Sequence, residues 1–303
     1  MLTIIEEFKN SFKSGSALTR LIIINLLVFA SIKIIMLLFF LFNIQNETIN
    51  QLIRWLAVPA SFKILIFRPW TLFTYMFLQE GFLHILFNML WLYWFGKIFL
   101  EYLGEKKLIS TYILGGLSGA ALYILAFNIF PVFSDILPYS FALGASAAIL
   151  AIVIAISAFI PNYSLHIMFL GPVKLKYIAI FSVIIDILSI QGDNAGGHLA
   201  HLGGALFGYV YIKQYQKGRD LAMGFNSVFD SLVSYFSTKS RIKVVHSSKK
   251  RKRQYKQDED YNVQKAARQH RLDEILDKIS KSGYESLTSE EKRILFDISN
   301  DSK

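Results

Sequence analysis

Four polar side chains lie in stretches that are otherwise apolar, and their types suit hydrolytic chemistry. His84 and Asn88 are four residues apart in the run HILFN, Ser146 follows Gly144 in the run GASA, and His201 lies in HLAHLGG. A serine hydroxyl next to an imidazole is the minimum for an activated nucleophile, because the imidazole accepts the hydroxyl proton as the oxygen attacks a carbonyl carbon. The side chains of His84 and Asn88 carry N–H groups that can stabilise the resulting oxyanion.

Small residues predict how the segments that carry Ser146 and His201 meet. They recur at intervals of three or four along both segments: Gly144, Ala148, Ala151 and Ala155 on one, and Gly197, His201, Gly204 and Gly208 on the other. Such stripes let membrane helices pack backbone to backbone. Because His201 belongs to its stripe, we expect its side chain to face the helix of Ser146, where the first turn also offers free amide N–H groups.

Each of these features also has a purely structural interpretation. A single serine in a membrane helix usually donates back to a backbone carbonyl. A stripe of Gly and Ala can serve packing alone. Asn88 can form a hydrogen bond between helices, and His84 can be a buried histidine whose hydrogen bonds are all satisfied. Spacing alone therefore does not decide in favour of an enzyme.

The composition indicates a membrane protein. Of the 303 residues 53% are hydrophobic and 18% charged, and the mean hydropathy is +0.41, whereas soluble domains are closer to a quarter charged. The absence of cysteine excludes disulfides, thiolate metal sites and a cysteine nucleophile. Residues 213–303 contain 20 of the 32 basic and 13 of the 22 acidic residues, so +7 of the net charge of +10 lies in a polar tail.

Six segments are apolar enough to be candidate membrane helices, for which about 20 residues are needed. They cover residues 21–42, 83–102, 108–130, 145–160, 175–190 and 198–212. The N-terminal segment, the loops after the second and fourth segments, and the tail carry most of the Lys and Arg residues. Because such residues favour the cytoplasmic side, we expect both termini in the cytoplasm, in a bacterial inner membrane.

Taken together, the motifs resemble those of the rhomboid intramembrane serine proteases. The resemblance covers residues 65–213 and rests on three elements in the same order: HxxxN with His84 and Asn88, GxSx at 144–147, and AHxxGxxxG at 200–208. It implies an all-α polytopic membrane protein, a six-helix rhomboid-like bundle with a cytoplasmic helical tail. It also implies an endopeptidase that needs no cofactor or metal and cleaves membrane-anchored proteins near one end of their spanning helix.

The resemblance also implies a role for each site residue. Ser146 is the nucleophile, His201 the general base, and His84 and Asn88 hold the oxyanion, while Gly144, Gly204 and Gly208 allow close helix packing. No carboxylate orients the histidine in this family, and the only acid that we expect near His201 is Asp193 in the preceding loop. The sequence departs from the family pattern at Ala147, often a glycine, and at Leu150, where some members have a tyrosine.

Two other classes of function remain open. A rhomboid-like pseudoprotease would bind transmembrane segments without cutting them, although the presence of both Ser146 and His201 argues against it. A transporter or metal-binding membrane protein could use His84, His198 and His201 as ligands, but the HExxH pattern of zinc proteases is absent.

The chain outside the six segments predicts an N-terminal cytoplasmic segment and a two-part tail. Residues 1–20 precede the membrane domain (21–213), and residues 214–260 form a basic amphipathic linker that suits anionic lipid rather than nucleic acid. Residues 261–303 predict a small helical hairpin, in which Gly283 ends one helix and a Thr288–Glu291 capping box begins the next. Such a hairpin needs something to bury its apolar face, which can be a protein partner.

Overall fold

The computed structural model describes residues 15–44, 46–167, 171–236 and 271–300, together with 267 and 269. The chain divides into two compact units. One comprises Met1–Ile156 with Ala179–Thr238, and the other comprises Ser157–Ile178 with Lys239–Lys303. The catalytic candidates all belong to the first unit.

The six predicted apolar segments each coincide with a helix, with ends within about one turn of those expected. In chain order the longer helices are α1 (Ala17–Leu41), α2 (Asn46–Leu56), α3 (Phe82–Leu103), α4 (Glu105–Ile129), α5 (Ser146–Phe159), α6 (Leu175–Ser189), α7 (Ala195–Gln216), α8 (Met223–Phe236), α9 (residues 271–282) and α10 (Ser289–Asn300). Shorter helical turns cover Phe62–Phe67, Thr71–Thr74, Tyr75–Phe77, Pro131–Phe133, Leu137–Tyr139 and Tyr284–Ser286. Among the described helices, α1, α3 and α4 are long and apolar enough to cross a membrane.

Helix α5 is the centre of the first unit. Its residues 147–157 and Phe159 are buried, whereas only 11% of the most apolar stretch of α1 is buried. Large apolar side chains of α1 such as Leu37 and Phe40 are exposed. Exposed apolar surface of this kind suits contact with lipid, so α1 lies at the periphery and α5 in the core.

Glycines of α7 and α4 allow both helices to pack directly against α5. A Cβ atom at Gly204 or Gly208 would overlap the carbonyl oxygen of Ala147 or Ala151, respectively. On α4, a Cβ at Gly115 would overlap the methyl group of Ala151. The small residues on these helices therefore lie in backbone-to-backbone contacts, as in other closely packed membrane helices.

A two-residue antiparallel pairing connects the first loop to the segment that precedes α5. Strand β1 (Val58–Pro59) pairs with β2 (Phe141–Ala142), with Val58 opposite Ala142. The N–H of Ala60 also donates to the carbonyl of Ser140 at 3.0 Å. These bonds fix the chain just before it enters the Ser146 turn.

The described part of the second unit contains a β-hairpin and the two C-terminal helices. Strand β3 (Ser164–Ile167) pairs with β4 (Gly171–Lys174), a hairpin that the sequence analysis missed. Lys174 donates to Asp277 of α9 at 2.8 Å, which raises the pKa of Lys174 and lowers that of Asp277.

The capping box and the helix stop predicted for the C-terminal hairpin are both present. The carboxylate of Glu291 accepts from the N–H of Thr288 at 2.7 Å, and the N–H of Glu291 donates to the Thr288 hydroxyl at 3.3 Å. A hydrogen bond from Lys278, followed in importance by the one from Thr288, lowers the pKa of Glu291 to about 2. Gly283, with φ of +76°, ends α9. Most of the predicted basic linker, including its run 249–253, lies outside the described residues.

The contact between α5 and α7 predicts that Gly204→Ala destabilises the protein. A methyl group there has no space beside Ala147, and overpacking of this kind costs roughly 1–3 kcal/mol. Thermal unfolding in detergent should show a lower Tm. The matched control is Gly224→Ala on α8, where a Cβ would meet nothing within 4 Å, and its Tm should be unchanged or higher because alanine favours helix. Equal Tm values for Gly204→Ala and the parent would contradict the close packing.

Candidate active site

Ser146 and His201 are in direct contact. The Oγ atom of Ser146, the first residue of α5, lies 2.6 Å from Nε2 of His201, almost two turns into α7. The two residues are 55 positions apart in the chain, and the close packing at Gly204, one turn after His201, brings their helices together. The pair has the geometry in which an imidazole activates a serine hydroxyl.

The second nitrogen of His201 contacts a carboxylate of α6. Its Nδ1 lies 2.8 Å from Oδ1 of Asp186. An ionised carboxylate can only accept hydrogen bonds, so Nδ1 carries the proton and Nε2 is the basic nitrogen that faces Ser146. This is the tautomer that can accept the serine proton.

The expectation that no carboxylate other than Asp193 lies near His201 is therefore wrong. Asp186 lies in the last turn of an apolar helix and has 5% of its surface exposed. One signal in the sequence could have identified it, because Asp186 is the only charged residue in the otherwise apolar stretch 177–190. An ionisable residue in such a segment usually faces protein and has a function.

His198, to which the sequence analysis gave no catalytic role, contacts the same carboxylate. Its Nδ1 lies 2.7 Å from Oδ1 of Asp186, and the rings of His198 and His201 meet edge to face with centroids 5.9 Å apart. One carboxylate oxygen thus accepts hydrogen bonds from two histidines on successive turns of α7. A carboxylate oxygen has two lone pairs, so it can accept both.

This cluster differs from the three histidines considered as metal ligands. Asp186, His198 and His201 have ligand-type atoms within 4.8 Å of one another, whereas His84 is not part of the group. Two ligands of a tetrahedral zinc ion are about 3.3 Å apart, given bonds of about 2.0–2.1 Å. The oxygen of Asp186 is only 2.7 and 2.8 Å from the two nitrogens, which are hydrogen-bond distances.

His84 lies beside the turn that precedes the serine. A Cβ atom added to Gly144 would be 3.2 Å from Cε1 of His84 and 3.3 Å from Oγ of Ser146. Gly144 has a φ of +136°, which residues other than glycine rarely adopt. Its N–H donates to the carbonyl of Tyr75 at 2.9 Å. The turn thus brings His84 next to Ser146, where its ring N–H can reach a developing oxyanion.

Asn88 belongs to a buried chain of polar side chains. It donates to Oε1 of Gln79 at 2.8 Å, and Gln79 donates to Oδ1 of Asn25 at 3.3 Å. Asn25 in turn donates to the hydroxyl of Tyr112 at 3.1 Å. The chain connects α1, α3 and α4, and its other members were not anticipated from the sequence. The oxyanion role of Asn88 stays a prediction, supported by the second N–H of its amide group.

Comparison with known protein families covers the segment that carries these residues. The model of the Rhomboid domain matches residues 67–216, a range that includes Ser146, Asp186 and His201. The chain belongs to the rhomboid family. Residues 255–301 match a second model, described only as a family of unknown function (DUF6576).

Curated rhomboid relatives align over part of the chain. RHOMBOID-like protein 12, mitochondrial, of Arabidopsis thaliana is 31% identical over 158 residues, which cover 49% of this chain and 47% of the plant protein. Rhomboid protease GlpG of Salmonella newport is 38% identical over 63 residues, or 21% of this chain and 22% of that protein. The chain thus spans about half or less of the length of these rhomboid relatives. Membership in the family makes it an integral membrane protein.

The two departures from the rhomboid pattern are both buried in α5. Ala147 is 1% exposed; its methyl group lies against Gly119 of α4, and its backbone carbonyl lies against Gly204 of α7. Leu150 lies one turn after Ser146 and is also buried. The methyl group of an alanine at 147 is accommodated because Gly119 has no side chain there.

Crowding around the Ser146 turn predicts that Gly144→Ala removes activity. An alanine at 144 would have a strained φ angle, and its methyl group would press on His84 and the Ser146 hydroxyl. A shift of about 1 Å in the position of a catalytic group can lower the rate by about 10²-fold. Gly218→Ala is the matched control, since Gly218 also has a positive φ, +77°, but nothing within 4 Å of its Cβ position. Both variants should lose stability, and only Gly144→Ala should lose cleavage per folded molecule. Similar turnover in the two variants would contradict this role.

The two proposed oxyanion donors should respond differently to truncation. Asn88→Ala leaves Gln79 without its donor, so the Tm should fall by an amount equivalent to about 1–3 kcal/mol. Turnover per folded molecule should also fall, by about 10²-fold or less, with little change in KM. His84→Ala should lower turnover to a similar extent with a smaller change in Tm. If the folded Asn88→Ala variant had normal turnover, Asn88 would have a structural role only, and the predicted oxyanion role would be wrong.

Proposed function

We propose that this rhomboid is an active intramembrane serine endopeptidase with Ser146 as nucleophile and His201 as general base. The observation that carries the proposal is the 2.6 Å contact between Ser146 Oγ and His201 Nε2. The tautomer that Asp186 imposes on His201 leaves Nε2 free of a proton, as base catalysis requires. Family membership supports either a protease or an inactive relative, and this contact favours the protease.

The reaction follows from the groups present. Ser146 Oγ attacks the carbonyl carbon of the peptide bond while its proton passes to Nε2 of His201. The negative charge on the carbonyl oxygen meets the free N–H groups of the first turn of α5 and the ring of His84. The imidazolium then gives its proton to the amide nitrogen as the C–N bond breaks, and the acyl chain stays on Ser146. A water molecule, deprotonated by His201, attacks the ester and regenerates the serine.

The length of α5 suits cleavage below the membrane surface. Its 14 residues span about 21 Å, against about 30 Å for the hydrocarbon core. The helix ends at Phe159, just before Pro161 and Asn162, which suit the interface. Its Ser146 end then falls short of the opposite surface by roughly 9 Å. The substrates we propose are single-span or otherwise membrane-anchored proteins, cleaved near one end of the membrane segment.

The remaining helices and the tail complete the proposal. We place six spans in the membrane, with both termini in the cytoplasm of a bacterial cell. Helix α8 exposes Met223 and Val228 and pairs Asp230 with Lys106 at the start of α4, at 2.7 Å. It therefore lies at the end of the bundle that we assign to the cytoplasm. Anionic lipid suits the basic segment that follows, and a protein partner suits the C-terminal hairpin.

The proposal predicts that Ser146→Ala abolishes both cleavage and labelling by a fluorophosphonate probe. The variant removes one oxygen and should fold normally. The matched control is Ser157→Ala on the same helix, where the described residues offer the buried hydroxyl no hydrogen bond. The reconstituted proteins would be tested on a panel of single-span substrates. If the folded parent protein neither reacts with the probe nor cleaves any substrate, it is an inactive rhomboid-like protein that binds transmembrane segments.

A further inference from the structure

We infer that Asp186 is a positioning residue of this site, so that Ser146, His201 and Asp186 act as a triad rather than a dyad. The inference rests on the proposed function, because it concerns how His201 serves as the base. It comes from a contact that the family motifs do not contain and that lies on α6, outside all three of them.

The burial of Asp186 shows that α6 turns this residue inward. Its neighbours Ile184, Ile187 and Leu188 have about half or more of their surface exposed, whereas the side chain of Asp186 is 8% exposed. A buried carboxylate is costly unless it is hydrogen-bonded to suitable donors. Both donors that the structure provides come from α7, and one of them is the proposed catalytic base.

The charge of Asp186 matters most when His201 becomes protonated. On accepting the proton of Ser146, His201 turns into an imidazolium. Asp186, 2.8 Å from Nδ1, then forms an ion pair with it and keeps its own charge, since the carboxylate in such triads does not take the proton. Charge-assisted hydrogen bonds of this kind are roughly twice as strong as neutral ones.

His198 has a separate part in this arrangement. Its Nδ1–H occupies the second lone pair of the same oxygen, so the carboxylate is held from two successive turns of α7. His198 does not reach Ser146 through any described contact. We therefore expect it to orient Asp186 and not to exchange protons with the substrate.

A purely structural role makes a different prediction. If Asp186 only connects α6 to α7, removing either of its hydrogen bonds should lower the Tm and leave the turnover of the folded molecules unchanged. If it positions His201, Asp186→Asn should act on turnover. Asparagine has nearly the same shape, but it has no charge and can present an N–H to Nδ1, which favours the wrong tautomer of His201.

The test compares Asp186→Asn and His198→Ala with Asp193→Asn, the same chemical change in the loop before α7. For reconstituted protein, kcat and KM would be measured on a transmembrane substrate and normalised to folded protein. Asp186→Asn should lower kcat by about 10²-fold or more with KM nearly unchanged, because Asp186 lies behind His201 and away from the substrate. His198→Ala should lower kcat by about tenfold at most, and Asp193→Asn should match the parent. A kcat of Asp186→Asn within about threefold of the parent would overturn the inference.

A second measurement tests Asp186 without turnover, so that failure of the proposed function is distinguishable from failure of this inference. Nitrogen-15 NMR of histidine-labelled protein in detergent, assigned with His201→Ala, reports which ring nitrogen of His201 carries the proton. The parent should show the Nδ1–H form, and Asp186→Asn should show a substantial Nε2–H population. An unchanged tautomer in Asp186→Asn would overturn the positioning role even if the parent protein proved inactive.

Discussion

Ser146 and His201 contact each other only because the backbones of α5 and α7 touch. Gly204 and Gly208 lie against the carbonyl groups of Ala147 and Ala151, and any side chain at either glycine would move the helices apart. A hydrogen bond of 2.6 Å does not survive a separation of even 1 Å, given the usual limit of about 3.2 Å. The close packing of α5 and α7 is therefore a condition for activation of the nucleophile. The small residues contribute to the chemistry because they allow the short distance between the two helices.

The nucleophile is also fixed from the loop side. The β1–β2 pairing fixes the chain at Ala142, and the bond from Gly144 to the carbonyl of Tyr75 fixes the turn that follows. The positive φ of Gly144 directs the chain into α5 while leaving room for His84 beside Ser146. The Asn88–Gln79–Asn25 chain connects α3 to α1. Ser146 thus begins a helix whose start is held by bonds to the first loop and to Tyr75.

The sequence allowed the helices and the Ser146–His201 pair to be predicted because both depend on local signals. Apolar length marks a helix, and the spacing of glycines around His201 marks the face it presents. Asp186 and the Gln79–Asn25 contact depend instead on which way α6 and α1 rotate against their neighbours, and a helix in lipid has no alternation of polar and apolar faces to reveal this. The oxyanion role of Asn88 and the number of spans are still predictions, since they depend on the substrate and on the membrane.

The position of Asp186 follows from the solvent in which the protein folds. In lipid, an ionisable group cannot turn outward to water as it would in a soluble enzyme, so a helix that carries one must direct it toward partners inside the bundle. Apart from Asp186, the stretch 177–190 is uncharged, and among the described residues the donors that reach its carboxylate are His198 and His201. The need to satisfy one carboxylate therefore sets the rotation of α6 about its axis. The same rotation that satisfies the carboxylate orients the imidazole of His201 toward Ser146, so the fold of α6 and the chemistry of the site have a common physical cause.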